Sequence, residues 1–408
     1  MPGHPTDPSN LRALRIAITA FFALDGFVFA GWVVRIPAIK EQTGASPGAL
    51  GLALLGVSAG AVITMMLTGR LCRRFGSHPV TVACAVLLSL SVALPPLTHT
   101  ALALGAVLLV FGAAFGGINV AFNSAAVDLV AALGRPIMPG FHAAFSLGGM
   151  VGAGLGSLVA GTLSPTRHLL GITLIGLLVT AVAAPTLLRH EPPAPLDRTP
   201  GQPARDTGPR DPHADSDPGP DPGRLDSRTR ALVVVLGLIA GCTAYGEGAL
   251  ADWGALHLEA DLDASPGVAA IGYSCFALAM TVGRLTGTTL LERLGRTTVL
   301  VAGGATATAG MLLGALAPSV WATLLGFAVT GLGLANIFPV AIERAGALAG
   351  PSGVATASTL GYLGMLLGPP AIGFMAEWFS LPTALTSVAV LAAFASAIAF
   401  ATRHSAAK

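Results

Sequence analysis

Four acidic side chains stand within long apolar stretches of the sequence, at Asp25, Asp128, Glu247 and Asp252. Because a charge near the centre of a bilayer costs about 2.5–3.5 kcal/mol, an acid at that depth indicates an ion pathway or a solute site. A rise of about 1.5 Å per residue from Arg15 puts Asp25 roughly 15 Å into a membrane, near its midplane. Burial disfavours the charged form of a carboxyl group, so Asp25 is predicted to load and release protons. The alternative is a structural bond to a neighbouring helix.

Glu247 is the second candidate for proton coupling or solute binding, with a structural role as the alternative. The same count from Arg230 puts it about 25 Å into the membrane, beyond the centre. Four glycines favour an unwound helical segment around a ligand here, at Gly241, Gly246, Gly248 and Gly254. Asp252 lies about 140° around the helix axis from Glu247, so the two acids cannot share a face. We predict that Asp252 is an interfacial or gate residue.

Amide side chains are candidates for contact with a polar solute. Asn119 and Asn123 are spaced i, i+4 and share one face of a helix. Their amides donate and accept hydrogen bonds, which suits hydroxyl-bearing or amide-bearing solutes, although such amides also hold membrane helices together. Asn336 precedes Phe338-Pro339, where the proline frees a backbone carbonyl. Further candidate binding residues, with core packing or a helix-end role as the alternative, are Phe27, Tyr245, Phe338 and His142.

The sequence disfavours several other classes of protein. Lysine occurs only at Lys40 and Lys408, so no GxxxxGK[ST] phosphate loop exists, and no GxGxxG opens a strand–helix unit. The 4 cysteines lie apart without CxxC spacing. Neither a metal-ligand cluster nor a nucleophile–base pair occurs at useful spacing. We therefore expect no enzymatic activity, no cofactor, no metal site and no nucleic-acid partner.

The elements that must position these residues are apolar runs long enough to cross a membrane. Hydrophobic residues make up 53% of the chain and charged residues 10%, against about 25% charged residues in soluble domains. A bilayer core requires about 20 apolar residues per helix. Such runs occur near residues 12–35, 47–69, 79–98, 101–132, 140–163, 168–188, 231–257, 266–291, 297–316, 320–343, 353–377 and 382–402. We predict an all-α membrane protein with twelve transmembrane helices in two six-helix halves.

The predicted domain organisation follows from these runs. It comprises an N-terminal six-helix half at 1–188, a disordered cytoplasmic linker at 189–230, a C-terminal six-helix half at 231–402 and a cytoplasmic tail at 403–408. The linker is rich in Pro, Asp, Arg and Gly and cannot bury a core. The first apolar run is too long for the core of a signal peptide, so the first helix is expected to remain in the mature protein.

The positions of the basic residues predict the orientation in the membrane. The predicted outer loops hold only Arg35, Lys40 and Arg167, whereas the other connections carry many arginines. Cytoplasmic loops carry the excess of positive charge, so both termini are expected in the cytoplasm. In that orientation the tryptophans fall near the outer ends of their helices, at Trp32, Trp253, Trp321 and Trp378.

An internal repeat relates the two halves. Ala45-Ser46-Pro47-Gly48 recurs as Ala264-Ser265-Pro266-Gly267, and Arg74-Phe75-Gly76 recurs as Arg293-Leu294-Gly295 at the same offset. Halves with the same orientation are related by a pseudo-two-fold axis along the membrane normal. Such repeats predict a solute site between the halves, near the midplane.

The loop after the second run resembles the G-x-L-x-D-R-x-G signature of the major facilitator superfamily. The resemblance covers the whole chain except the linker and the tail, and in the family this loop is a cytoplasmic latch. Arg73 occupies the acidic position of the signature, whereas Glu292 keeps an acid in the second half. Asp128 is a candidate partner for Arg73 or Arg74, or else these arginines only mark the cytoplasmic side. The predicted latch comprises Gly69, Arg70, Arg73, Arg74, Gly76, Asp128, Glu292, Arg293 and Gly295.

A narrower resemblance is to the fucose-permease-like branch of that family and its bacterial relatives. It rests on Asp25-Gly26-Phe27, Arg35-Ile36-Pro37-Ala38-Ile39-Lys40, the Asn119/Asn123 pair, Asn336-Ile337-Phe338-Pro339 and Glu247-Gly248-Ala249. The two carboxylates that serve fucose/proton symport in the permease align with Val33 and Asn119, which carry no proton. The resemblance therefore implies that any proton coupling uses other acids.

The sequence thus predicts a secondary active transporter in the cytoplasmic membrane of a bacterium. It would move a small polar, sugar-like solute by alternating access, coupled to protons. Two alternatives are a proton-coupled exporter of hydrophobic or cationic compounds and a non-transporting membrane sensor with the same fold. The expected partners are the lipid bilayer, the solute and protons, and we expect a monomeric chain.

Overall fold

The computed structural model describes residues 8–45, 47–159, 162–190, 226–264 and 266–401. Within these ranges the chain is helical apart from short connections, and no strand occurs there. The predicted linker and tail lie almost wholly outside the described residues. The helices are α1 (Pro8–Val33), α2 (Ile36–Thr43), α3 (Pro47–Phe75), α4 (Ser77–Ser91), α5 (Ala101–Leu133), α6 (Met138–Val159), α7 (Pro165–Arg189), α8 (Ser227–Ala260), α9 (Pro266–Leu294), α10 (Arg296–Leu316), α11 (Val320–Leu334), α12 (Ile337–Trp378) and α13 (Leu381–Ala401).

Twelve crossings of the membrane follow from these helices. The helix α2 has 8 residues and connects α1 to α3 without crossing. The backbone of α12 leaves the helical region at Ala349 and Gly350, so its first part completes the crossing begun by α11 and its second part makes another. The prediction of twelve transmembrane helices in two halves is confirmed. We call the end where α1 begins and α13 ends the terminal end, and the other end the opposite end.

Two helix boundaries differ from the sequence prediction for identifiable reasons. The run predicted at 320–343 is broken at Asn336, because Pro339 cannot donate the backbone hydrogen bond that would continue the helix across Ala335. The unwound segment predicted around Glu247 is absent: α8 is one helix of 34 residues. Its glycines instead allow close helix packing, since a Cβ added at Gly364 of α12 would overlap the carbonyl of Gly241.

Close packing at glycine also joins α1 to α6 in the first half. A Cβ added at Gly148 would overlap the carbonyl of Ala23, and one added at Gly26 would overlap the carbonyl of Phe145. Close helix packing at glycine therefore occurs in both halves. One apolar core is built mainly on α1 and α3–α7 and extends to residues of α8 and α12, and the other is built on α8–α13.

The tryptophans at the opposite end divide into two groups. Trp321 and Trp378 are exposed, as expected of an interfacial belt. Trp32 is buried against Phe111, with ring centroids 6.3 Å apart, so its expected place in that belt was wrong. Nearby, Arg35 donates from Nε to Nδ1 of His168 at 2.8 Å and fastens the start of α2 to α7.

Candidate functional site

A buried arginine joins the two halves at the middle of the molecule. Arg284 of α9 is only 7% exposed. Its Nη2 donates to Oε1 of Glu247 on α8 at 2.9 Å, and its Nη1 donates to Oγ of Ser146 on α6 at 2.8 Å. Because Ser146 belongs to the first half and Glu247 to the second, the guanidinium group spans the interface between the halves.

The break between α11 and α12 supplies the third acceptor for this arginine. Pro339 has no backbone N–H, so the carbonyl of Ala335 has no intrahelical donor at the expected place. The Nε of Arg284 donates to this carbonyl at 3.3 Å. The sequence prediction that the proline frees a carbonyl is confirmed, and the freed carbonyl helps to orient the guanidinium group.

Asp25 lies level with Asn119 at the same interface. Phe22 contacts Phe122 and Phe29 contacts Phe115, with ring centroids 3.8 and 4.9 Å apart. These contacts set the antiparallel register of α1 and α5 and place Asp25 beside Asn119. The carboxyl of Asp25 is fully buried, and neither oxygen has a hydrogen-bond partner among the described residues.

Asn119 connects the first half to the second through Tyr362 of α12. Its Nδ2 donates to the hydroxyl of Tyr362 at 3.3 Å. Tyr362 is also close enough to Asp25 and Glu247 for their charges to act on it. We call Asp25, Asn119, Ser146, Glu247, Arg284 and Tyr362 the central polar cluster.

His142 lies next to the central polar cluster. Its ring meets Phe338 of the second half edge-on, with centroids 5.7 Å apart, and meets Phe22 in the same way at 5.3 Å. The imidazole is buried, and Nε2 has no hydrogen-bond partner among the described residues. His142 and Phe338 therefore meet across the interface, next to the cluster.

Other predicted binding residues form hydrogen bonds or packing contacts within one half. The hydroxyl of Tyr245 shares a hydrogen bond of 2.8 Å with Ser387 of α13, and Asn336 donates to the carbonyl of Gly283 at 2.9 Å. Asn123 donates to the carbonyl of Asn119 at 2.8 Å, and Phe27 packs against the first core. The structure gives these four side chains roles in packing and in helix–helix contact.

Two contacts close the interface between the halves at the terminal end. Arg73 of α3 donates to Oγ of Ser352 on α12. Arg135, just after α5, forms an ion pair of 2.8 Å with Glu292 of α9. The internal repeat relates Arg73 to Glu292, so the equivalent ends of α3 and α9 each form one contact with the other half.

The remaining latch residues divide into turn residues and exposed cations. Gly76 and Gly295 have positive φ values of 88° and 78°, which explains glycine at both tight turns. A Cβ added at Gly69 would lie 2.8 Å from Cβ of Ala355, so α3 and α12 approach closely there. Arg70, Arg74 and Arg293 are exposed.

The expected pairing of Asp128 with Arg73 or Arg74 was wrong. Among the described residues Asp128 forms no ion pair, and it lies near Cys72 inside the first half. Arg73 reaches across to the second half instead.

The side of the central polar cluster nearer the opposite end is partly exposed. The Glu247 side chain is 30% exposed. Asp252, farther along α8 toward the opposite end, is exposed, as is Tyr273, which lies within range of both Glu247 and Arg284. The latch contacts close the interface at the terminal end.

Comparison with known proteins decides the family. The sequence model of the Major Facilitator Superfamily matches residues 16–250 and 236–408. The chain belongs to this superfamily. An uncharacterized transporter of the superfamily from Yersinia pestis is 34% identical over 376 residues, which cover 91% of each chain.

Solved structures of the superfamily share the fold of this transporter. The crystal structure of FucP in the outward conformation matches with a TM-score of 0.75 at 16% identity, over 94% of this chain and 97% of that one. The proton:xylose symporter XylE matches with a TM-score of 0.71 at 12% identity, over 96% of each chain. The fucose-permease-like resemblance is thus confirmed at the level of fold and family.

Sequence reasoning missed Arg284, Ser146 and Tyr362 in this major facilitator. Arg284 stands inside a predicted membrane run, where a charge of either sign indicates function. The same rule that selected the acids, applied to arginine, selects it. Ser146 and Tyr362 carry no comparable signal, because a single hydroxyl in an apolar helix does not reveal which face it occupies.

Proposed function

We propose that this major facilitator is a secondary active transporter that moves a small polar, sugar-like solute by alternating access and couples it to protons. The observation that carries the proposal is the unpartnered, fully buried carboxyl of Asp25 beside Asn119 at the interface between the halves. A buried carboxyl without partners is most stable when it is protonated. A change of access that hydrates it would release the proton.

The proposed orientation puts both termini in the cytoplasm of a bacterium. The loops at the terminal end carry the arginines, and the relative from Yersinia pestis is bacterial. In this orientation the latch closes the cytoplasmic side and the central polar cluster opens outward. Solute would then bind between the halves and leave after the latch opens.

Coupling to protons and a sugar-like solute have further support. FucP is described as a fucose:proton symporter and XylE as a proton:xylose symporter. In this chain Asn119, Ser146 and Tyr362 provide neutral donors and acceptors suited to hydroxyl groups. Because Arg284 already neutralises Glu247, export of cationic compounds is the less favoured alternative.

The test is solute-driven proton movement in proteoliposomes that contain a pH-sensitive dye. Sugars, sugar acids and other polar solutes are compared on the wild type, Asp25→Asn and Glu247→Gln, with Glu259→Gln at the exposed end of α8 as the control. We expect Asp25→Asn to abolish proton movement while solute binding survives, and Glu259→Gln to behave as wild type. Solute flux without proton movement, or full proton movement in Asp25→Asn, contradicts the proposal.

A further inference from the structure

We propose that the solute carries a carboxylate, which Arg284 binds in place of Glu247, and that Glu247 takes up a proton when it is displaced. This proposal rests on the proposed proton-coupled transport and adds the chemical class of the solute, a hydroxyl-bearing carboxylic acid. The three donors of Arg284 in use now contact one anion, one hydroxyl and one carbonyl. Of these three acceptors, only the carboxylate of Glu247 can be replaced by a charged group of a solute.

The geometry of the pair makes Glu247 the exchangeable partner. Arg284 is held by Ala335 and Ser146 and is almost fully buried, whereas the Glu247 side chain is 30% exposed. A single hydrogen bond, from Nη2 to Oε1, joins the two side chains. A carboxylate entering from the opposite end meets Glu247 first and can form a two-pronged contact with the guanidinium group.

The charges around the pair determine which anion fits. Tyr273 lies within range of Asp252 and of both members of the pair, Tyr362 lies within range of Asp25 and Glu247, and His142 lies within range of Arg284. Arg284 is the one cation of this group when His142 is neutral. A monoanion bound there, with Glu247 protonated, leaves the local charge unchanged, whereas a dianion such as phosphate adds uncompensated negative charge.

Two neutral groups extend the site from the carboxylate toward the first half. Ser146 accepts a hydrogen bond from Arg284, and the amide of Asn119 donates to the hydroxyl of Tyr362. Both can bind hydroxyl groups on the body of a solute. A sugar acid satisfies the cation and the hydroxyl-binding groups together, whereas a neutral sugar leaves Glu247 in place.

The experiment compares matched acids and neutral sugars on the reconstituted full-length chain. The pairs are glucuronate with glucose and galacturonate with galactose. Binding is measured by the shift in thermal unfolding temperature, and transport by proton movement. We expect the acids to bind at least about tenfold more tightly than the neutral sugars, consistent with a charge-assisted contact. Because Asp25 and Glu247 would each carry one proton, an acid should move with two protons, and its proton movement should respond to an imposed membrane potential.

Variants test whether the Arg284–Glu247 pair causes the tighter binding of acids. Arg284→Lys and Arg284→Gln should weaken acid binding, with the larger loss in Gln, while Arg167→Lys at the exposed start of α7 should match wild type. Glu247→Gln should keep acid binding and lose its dependence on pH. If Arg284→Gln does not fold, the double variant Arg284→Gln/Glu247→Gln leaves no unpaired buried charge and should still lose acid binding.

The outcomes separate this proposal from the proposed function. Neutral sugars that drive proton movement as well as the acids overturn the carboxylate assignment and leave proton-coupled transport standing. Acid binding that survives in the folded double variant also overturns the assignment. Acids that bind through Arg284 but move without protons support the site and contradict the proton coupling.

Discussion

Two tyrosine hydroxyls in this transporter have similar chemistry but different positions relative to the interface. Tyr362 receives a hydrogen bond from Asn119 of the other half, whereas Tyr245 shares one with Ser387 inside its own half. Removal of either hydroxyl loses one neutral hydrogen bond, about 0.5–1.5 kcal/mol. Separation of the halves breaks the Tyr362 bond, because that bond crosses the interface, but leaves the Tyr245 bond intact.

Tyr362→Phe is therefore expected to favour separation of the halves by about two- to tenfold. The readout is the alkylation rate of a single cysteine at Ala355→Cys, with the native cysteines replaced, because Ala355 is buried against Gly69 across the closed latch. Tyr245→Phe is the matched control and should lower thermal stability without a change in that rate. Equal alkylation rates in wild type and Tyr362→Phe would mean that the Asn119 bond does not hold the halves together.

At the scale of residues, the sequence predicts how deep a side chain lies in the membrane but not which face of its helix the side chain occupies. Asp25 and Glu247 were selected by depth and Asn119 by its helical spacing, and all three lie in the central polar cluster. Tyr245 and Asn336 were also candidates for contact with a solute, but their hydrogen bonds stay within the second half. Which face of a helix meets the other half depends on packing between distant segments, and that information is not contained in a count of residues from a helix end.

Glycine shapes the helix contacts at the scale of elements. In α8 the glycines were predicted to unwind the helix, but they allow α12 to approach, and the break occurs between α11 and α12 instead. Glycine weakens a helix and also permits close packing. The sequence alone does not distinguish these two uses, whereas proline has one local effect, and its prediction at Pro339 is confirmed.

Gly364→Ala is expected to destabilise the second half, because the added Cβ would overlap the carbonyl of Gly241 and force α8 and α12 apart. Overpacking of this kind costs about 1–3 kcal/mol. Gly154→Ala in α6 is the control, since nothing lies within 4 Å of its added Cβ, and it should be neutral or slightly stabilising. Thermal unfolding in detergent measures both, and equal unfolding temperatures would show that the close approach is not required.

The arrangement of the two halves was the most predictable feature at the scale of the whole molecule. Apolar runs, the repeat and the distribution of arginines were sufficient for twelve helices in two halves, because a membrane imposes its length and polarity on each crossing. The contacts of the latch were not predictable, since Arg73 and Arg135 have partners in the other half, far away in sequence.

Reversal of charge at the latch is expected to open the terminal end. Glu292→Arg places two arginines together in place of the Arg135–Glu292 pair. Exposed ion pairs contribute about 0.2–1 kcal/mol. Loss of the pair alone should therefore raise the Ala355→Cys alkylation rate by up to about fivefold. The swap Arg135→Glu/Glu292→Arg should restore the wild-type rate. A rate that stays high in the swapped variant would assign the effect to side-chain shape rather than to charge.

The two latch contacts differ in charge, so they respond differently to the solution on that side of the membrane. One contact is an ion pair with both side chains partly exposed, and the other is a bond from Arg73 to a neutral serine. Dissolved salt screens an exposed ion pair over a Debye length of about 8 Å at physiological ionic strength. Closure of the transporter is thereby tied to ionic strength through one of these two contacts, so an osmotic upshift that concentrates salt around the termini would shorten the time spent closed on that side.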